Sequence, residues 1–140
     1  MPISLRWVLL VVLAIATFGV QAAGGRQRAK LEQAQNAYAA AIRWGDFEGA
    51  WTFVEPAYAT AHPMGEFELR RYEQIQVSGY RDLSSLVEPD EVVVRLIEVR
   101  VINRHTQAER TVRYRERWRW DAEGKRWWLV GGLPDFWEGE

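Results

Sequence analysis

Cysteine is absent from this chain. That excludes disulfides, thiolate nucleophiles and cysteine-ligated zinc or iron–sulfur centres. Histidine is almost absent, with only His62 and His105. His62 stands in the loop-like A-T-A-H-P-M-G and His105 at an expected hairpin tip, a placement with no metal-ligand spacing, so neither a metal nor another cofactor is expected. His62 is conceivable as an acid–base group, but a plain loop histidine is the preferred reading. Net charge is nearly absent too. The 18 basic and 19 acidic residues leave a formal charge of −1, too little to draw the chain toward nucleic acid or an anionic membrane surface. No internal repeat or low-complexity segment appears. A length of 140 residues suggests one domain, large enough to fold without disulfide staples.

Long apolar runs are scarce. The one present, Trp7 to Val20, follows Arg6 and leads into Val20-Gln21-Ala22, which places small residues where signal peptidase requires them. This is the three-part layout of a secretory signal, and the run falls short of the ~20 residues of a membrane span. Residues 1–22 are therefore expected to be a signal peptide, leaving residues 23–140 as a single periplasmic or secreted domain. The alternative is an uncleaved anchor facing the periplasm from the inner membrane, the only case in which a membrane is involved. Arg26, Arg28 and Lys30 after the run do not decide between the two. A lipoprotein is disfavoured because no cysteine follows to carry the lipid.

What the chain does have is periodicity. Arg26 to Arg43 is rich in Ala, Gln, Glu and Leu, with Leu31, Ala34, Tyr38, Ala41 and Ile42 on one stripe, and predicts a helix ended by Gly45. Asp46 can cap a second helix carrying Phe47, Ala50, Trp51 and Val54 and closed by Pro56. Residues 57–65 read as a loop or short helical turn, and Glu66 to Glu73 as a third short helix. From Ile75 the composition turns β-branched and aromatic. Four strands are expected, at Ile75–Leu86, Val92–Asn103, Glu109–Asp121 and Arg126–Leu133, with a hairpin turn at Asp121–Gly124. Helices followed by strands define an α+β domain, its N-terminal helices packed on an antiparallel sheet.

The segments Ala37-Tyr38-Ala39-Ala40-Ala41, Gly45-Asp46-Phe47, Ala50-Trp51 and Val54-Glu55-Pro56, followed by tryptophan-rich strands, resemble the NTF2-like superfamily (SnoaL-like, cone-shaped α+β barrels). The resemblance covers roughly residues 26–133 and implies N-terminal helices packed on a curved antiparallel sheet of about four strands. The superfamily includes isomerases, dehydratases, cyclases, secretion-system subunits and pure binding modules, so fold does not give function. Its enzymes set Asp, His or Tyr groups in the cone, and no arrangement here matches them residue by residue.

Candidate chemistry centres on Glu109 to Asp121, E-R-T-V-R-Y-R-E-R-W-R-W-D. Thr111, Arg113, Arg115, Arg117 and Arg119 alternate with Val112, Tyr114, Trp118 and Trp120, as a strand with one wet and one dry face does. Glu116 breaks the code by falling on the dry face. If Arg104 to Ala108 forms a simple hairpin loop, Asn103 faces Glu109, and Glu98, Arg100, Tyr114 and Glu116 share a face with Val92, Val94, Trp118 and Trp120. Such a wall has the character of a small-molecule site. Glu116, Glu98 and Tyr114 are its candidate catalytic groups, and Trp118, Trp120 and Arg100 its candidate ligand contacts. The preferred reading is that Arg100 neutralises one of these acids or that the strand end is solvated, and a one-residue register shift would dissolve the cluster. The arginine row is read as a covering face, its stems lying over Val93, Ile97, Val99 and Val101. Nucleic-acid binding is not expected, because the aromatics lie on the opposite face and the net charge is negative. Asp135-Phe136-Trp137 is expected to fold back over an apolar patch.

The leading expectation is a module that binds a small apolar ligand or assembles with an envelope protein, with a homodimer among the alternatives. A small isomerase, lyase or hydrolase using a cone carboxylate comes second. A membrane-anchored subunit of an envelope complex comes third.

Overall fold

The computed structural model describes residues 5–137, with side chains from Gly24 onward. The chain forms α1 (Leu5–Trp44), α2 (Phe47–Trp51), α3 (Pro56–Ala61), α4 (Glu66–Glu73), β1 (Ile75–Val87), β2 (Val93–Asn103), β3 (Glu109–Asp121) and β4 (Arg126–Leu129). The helix expected at Arg26–Arg43 is thus the C-terminal part of a longer one, which runs through Gly24-Gly25 without a break. Each glycine costs about 1 kcal/mol against alanine, and the strong helix formers that follow carry the helix across them. The signal-peptide expectation, at residues 1–22, lies outside the described side chains. Among the described residues no helix is long and apolar enough to cross a membrane.

Gly45-Asp46 ends one helix and starts the next. Gly45 takes φ +73°, its N–H donates to Ile42 O (3.2 Å) and the Asp46 N–H donates to Ala41 O (2.9 Å). This is a Schellman closure, which favours glycine at the left-handed position. Asp46 Oδ1 then accepts from Gly49 N–H at 2.9 Å, capping α2. Gly49 has no room for a side chain there, since a Cβ would stand 2.1 Å from Asp46 Oδ2.

The second helix is shorter than expected. Val54 does not belong to it but bridges Leu129 in parallel, with Leu129 N–H donating to Phe53 O and Glu55 N–H to Leu129 O. This pairing draws Val54 out of the helical path. Pro56, read as a stop, instead opens α3, where its missing N–H does no harm. The same pairing uses up Leu129, and Gly131 at φ +82° turns the chain away, so β4 ends at Leu129 rather than Leu133. At the β3–β4 turn the positive φ falls on Lys125, not Gly124. Asp121 Oδ1 accepts from the Glu123 and Gly124 N–H groups and holds that turn.

The four strands form one curved antiparallel sheet in the order β1-β2-β3-β4. Register irregularities in β1 at Val77/Gly79 and Asp82/Ser84 are bulges of the kind that bend a strand. Helix α1 lies across one face of the sheet. There Tyr38, Ile42, Ile97, Val99, Val101, Trp118 and Leu129 form the core with almost no exposure. The tail folds back as expected: Phe136 is 0% exposed, packed edge-on against Phe47 and Tyr72. Tyr72 donates to Pro134 O at 3.0 Å, and Arg71 lies 4.2 Å from the Trp137 ring.

The β2–β3 register corrects the expected site. Val93 pairs Trp118, Arg95 pairs Glu116, Ile97 pairs Tyr114, Glu98 pairs Arg113 and Ile102 pairs Glu109. The loop is one residue shorter than assumed, because Asn103 N–H donates to Ala108 O (2.9 Å). Asn103 Oδ1 holds the turn by accepting from the N–H groups of His105 and Thr106, and Gln107 takes φ 60°. With a side-chain period of two, that single residue moves Glu98 and Arg100 to the opposite face from Glu116 and Tyr114. Val93, Ile97, Val99 and Val101 likewise belong to the Glu116 face and are not covered by the arginine row.

Candidate functional site

Glu116 is 1% exposed, under α1. Arg95 stands opposite it, 7% exposed, and its Nη2 and Nε donate to Glu116 Oε1 at 2.6 and 3.1 Å. The Tyr80 hydroxyl donates to Oε2 and the Trp118 indole N–H to Oε1. Arg95 also reaches the Tyr80 hydroxyl at 3.3 Å and, at 3.6 Å, the half-exposed Asp82 carboxylate. Burial works to lower the Arg95 pKa, but Glu116, Tyr80 and Asp82 outweigh it and the net shift is upward. A buried charge is tolerable when paired and hydrogen-bonded in this way.

Three tyrosines surround the pair. Burial first, then the neighbouring Tyr114 and Glu116, push the phenols of Tyr38 and Tyr80 well above their ordinary range. Burial and then Glu116 push Tyr114 up as well. The hydroxyls of Tyr38 and Tyr114 are buried and make no hydrogen bond of good geometry. Tyr38 also packs edge-on against Trp118, 5.6 Å between ring centres. A carboxylate enclosed by guanidinium, phenol and indole donors and roofed by a helix has no surface at which a substrate could meet it.

The remaining expected residues are dispersed. Glu98 lies on the outer face of the sheet between Arg81 and Arg113, 2.8 Å from each, and the Arg113 hydrogen bond leads in holding its carboxyl below the usual range. Arg100 is exposed on the same face beside Gly79. Trp118 is fully buried. The outer-face arginines largely bind acids, Arg117 with Glu88 and Arg119 with Glu55. His62 stacks on Tyr58 at 4.4 Å beside a hollow of about 320 Å³ shared with Trp51 and Leu133, while His105 is exposed at its turn. Among the described residues no group of three His, Asp or Glu converges to hold a metal.

Of the expected ligand contacts, Arg100 lines a polar outer-face hollow of about 380 Å³ with Glu98 and Arg81, and Trp120 lines a larger opening. A cleft of about 540 Å³ lies between the N-terminal half of the described α1 surface and the sheet. Leu31 and Gln35 form its helical wall, and Val93, Trp120 and Trp127 its sheet wall; Arg28, Glu32 and Glu91 also line it. Trp120 and Trp127 lie 5.4 Å apart, and the Trp127 indole N–H donates to Gln27 O at 2.9 Å, tying the wall to the helix.

Sequence reasoning missed Arg95, Tyr80, Tyr38 and Gln35. Arg95 did leave a signal. It is the one charged residue among Val93, Ile97, Val99 and Val101, as Glu116 is among Val112, Tyr114, Trp118 and Trp120. No family model matches this chain, and neither a curated protein nor a solved structure is similar to it.

Proposed function

We propose that the chain is a small-molecule-binding module whose site is the cleft between α1 and the sheet. The cleft itself carries this reading. Its volume of about 540 Å³ falls within the ~300–1,000 Å³ of ligand pockets, and its mix of aromatic and aliphatic walls with a few polar groups has their character. The order of elements is what the NTF2-like resemblance implies, and distant membership of that superfamily belongs to the proposal, as does work in the cell envelope. The purified chain should yield an apolar small molecule on organic extraction. Leu31→Phe, which narrows the cleft, should abolish its retention. An extract with no such molecule, and no uptake of any from a lipid mixture, would sink the reading.

The continuity of α1 from Leu5 through Gly24-Gly25 favours a second reading, in which the N-terminal segment is retained as an anchor for the domain. N-terminal sequencing of the exported protein decides it, since a start at Ala23 rules the anchor out.

A further inference from the structure

Gln35 is 8% exposed and what remains accessible opens into the cleft. Its amide makes no hydrogen bond among the described residues. A primary amide carries an acceptor oxygen and two donor hydrogens, and here these atoms are not sealed off but open to the cleft, free to be matched by a molecule bound there. Nothing else about the position requires a polar side chain. It lies on the same helical stripe as Leu31 and Tyr38 and faces Trp120, Trp127 and Val93. The charges beside it are two acids, Glu32 and Glu91, against one base, Arg28, which disfavours an anion.

Resting on the cleft being the binding site, we propose that it selects a neutral, largely apolar molecule bearing one group that both donates and accepts a hydrogen bond, an amide in the first instance, read by Gln35. The ligand's carbonyl accepts from the Gln35 amide N–H while its own N–H donates to the Gln35 carbonyl. The apolar remainder lies along Trp120, Trp127 and Leu31.

The probes are decanamide and methyl decanoate, which share a tail but differ in that the ester has no donor, measured by calorimetry on the full chain. Decanamide should bind roughly tenfold more tightly than the ester, the worth of one well-made hydrogen bond in a buried site. Gln35→Leu should reduce that gap to within about twofold while keeping the near-ultraviolet dichroism of the fold. Gln35→Met, unbranched like glutamine, should do the same and stands in if the leucine variant does not fold. Equal binding of the two probes by the natural chain, or a gap that both variants leave intact, overturns selection by Gln35. If that binding is abolished by Leu31→Phe, the cleft itself survives. Binding of neither probe overturns the cleft and the selection together.

Discussion

Arg95 and Glu116 face one another directly across the β2–β3 ladder, with 2.6 Å between Nη2 and Oε1. Removing one partner leaves the other charged and buried, which costs far more than the pair contributes. Glu116→Leu should therefore destabilise the fold by about 3–5 kcal/mol in denaturant titration. Glu116→Leu combined with Arg95→Met should restore most of that loss, since an apolar pair of similar volume is often neutral or stabilising. A double variant as unstable as the sum of the singles would show that the two groups act independently.

Alkaline pH should unfold the chain through its buried phenols. Burial raises the pKa of Tyr38, Tyr80 and Tyr114 in the folded state, and Tyr72 is pushed up to about 12, first by burial. The folded state thus holds these protons more tightly than the unfolded chain does. Stability is intact below the unfolded tyrosine value of about 10 and declines as pH rises beyond it. Most tyrosinate absorbance should appear together with the loss of near-ultraviolet dichroism. Smooth titration of every tyrosine in a folded chain would contradict this.

Acid should act through different groups. Asp121 is held below its usual range by the Gly124 N–H and then by Trp128, and Glu98 chiefly by Arg113. Folded values below unfolded ones give stability that is present above about pH 4 and lost as pH falls through the folded values. Glu98→Gln should flatten that decline in a pH series of thermal melts, and an unchanged slope would remove Glu98 from the account.

Phe136→Ala should cost about 3–5 kcal/mol, the usual penalty for emptying a buried phenylalanine site. The ring is fully enclosed between Phe47 and Tyr72, so little around it can collapse into the space. Chemical denaturation measures this, and a loss below about 1 kcal/mol would mean the tail is dispensable.

Gly45→Ala should cost about 1 kcal/mol, because φ +73° at that closure disfavours any residue with a Cβ. Thermal unfolding reads it, with the Asp46 cap left in place.

The α+β class, the four strands and the Gly45-Asp46 junction were legible because each rests on local chemistry: period two, period three to four, and the cap residues. The face on which Glu98 and Arg100 fall was not, because register depends on loop length, and Asn103 closes that loop one residue tighter than the composition suggests. Pairing the single charged exception of each strand, Arg95 with Glu116, would have set the register correctly. Gln35 was hidden for a different reason. A polar residue on an apolar stripe looks like an ordinary helix position until the opposite wall is in place. The path of Val54 was equally hidden, since its partner Leu129 is distant in the chain.

The burial of Phe136 has a consequence for the order in which the fold assembles. Phe47 and Tyr72 belong to helices that precede the sheet, yet the ring that closes over them lies beyond its last strand. Helix α1 likewise packs on β4, the final strand. Both contacts join segments far apart in the chain. The early helices thus stay incompletely covered until the β4 strand and the Phe136 segment are in place, which makes these late, non-local contacts the ones that complete the fold.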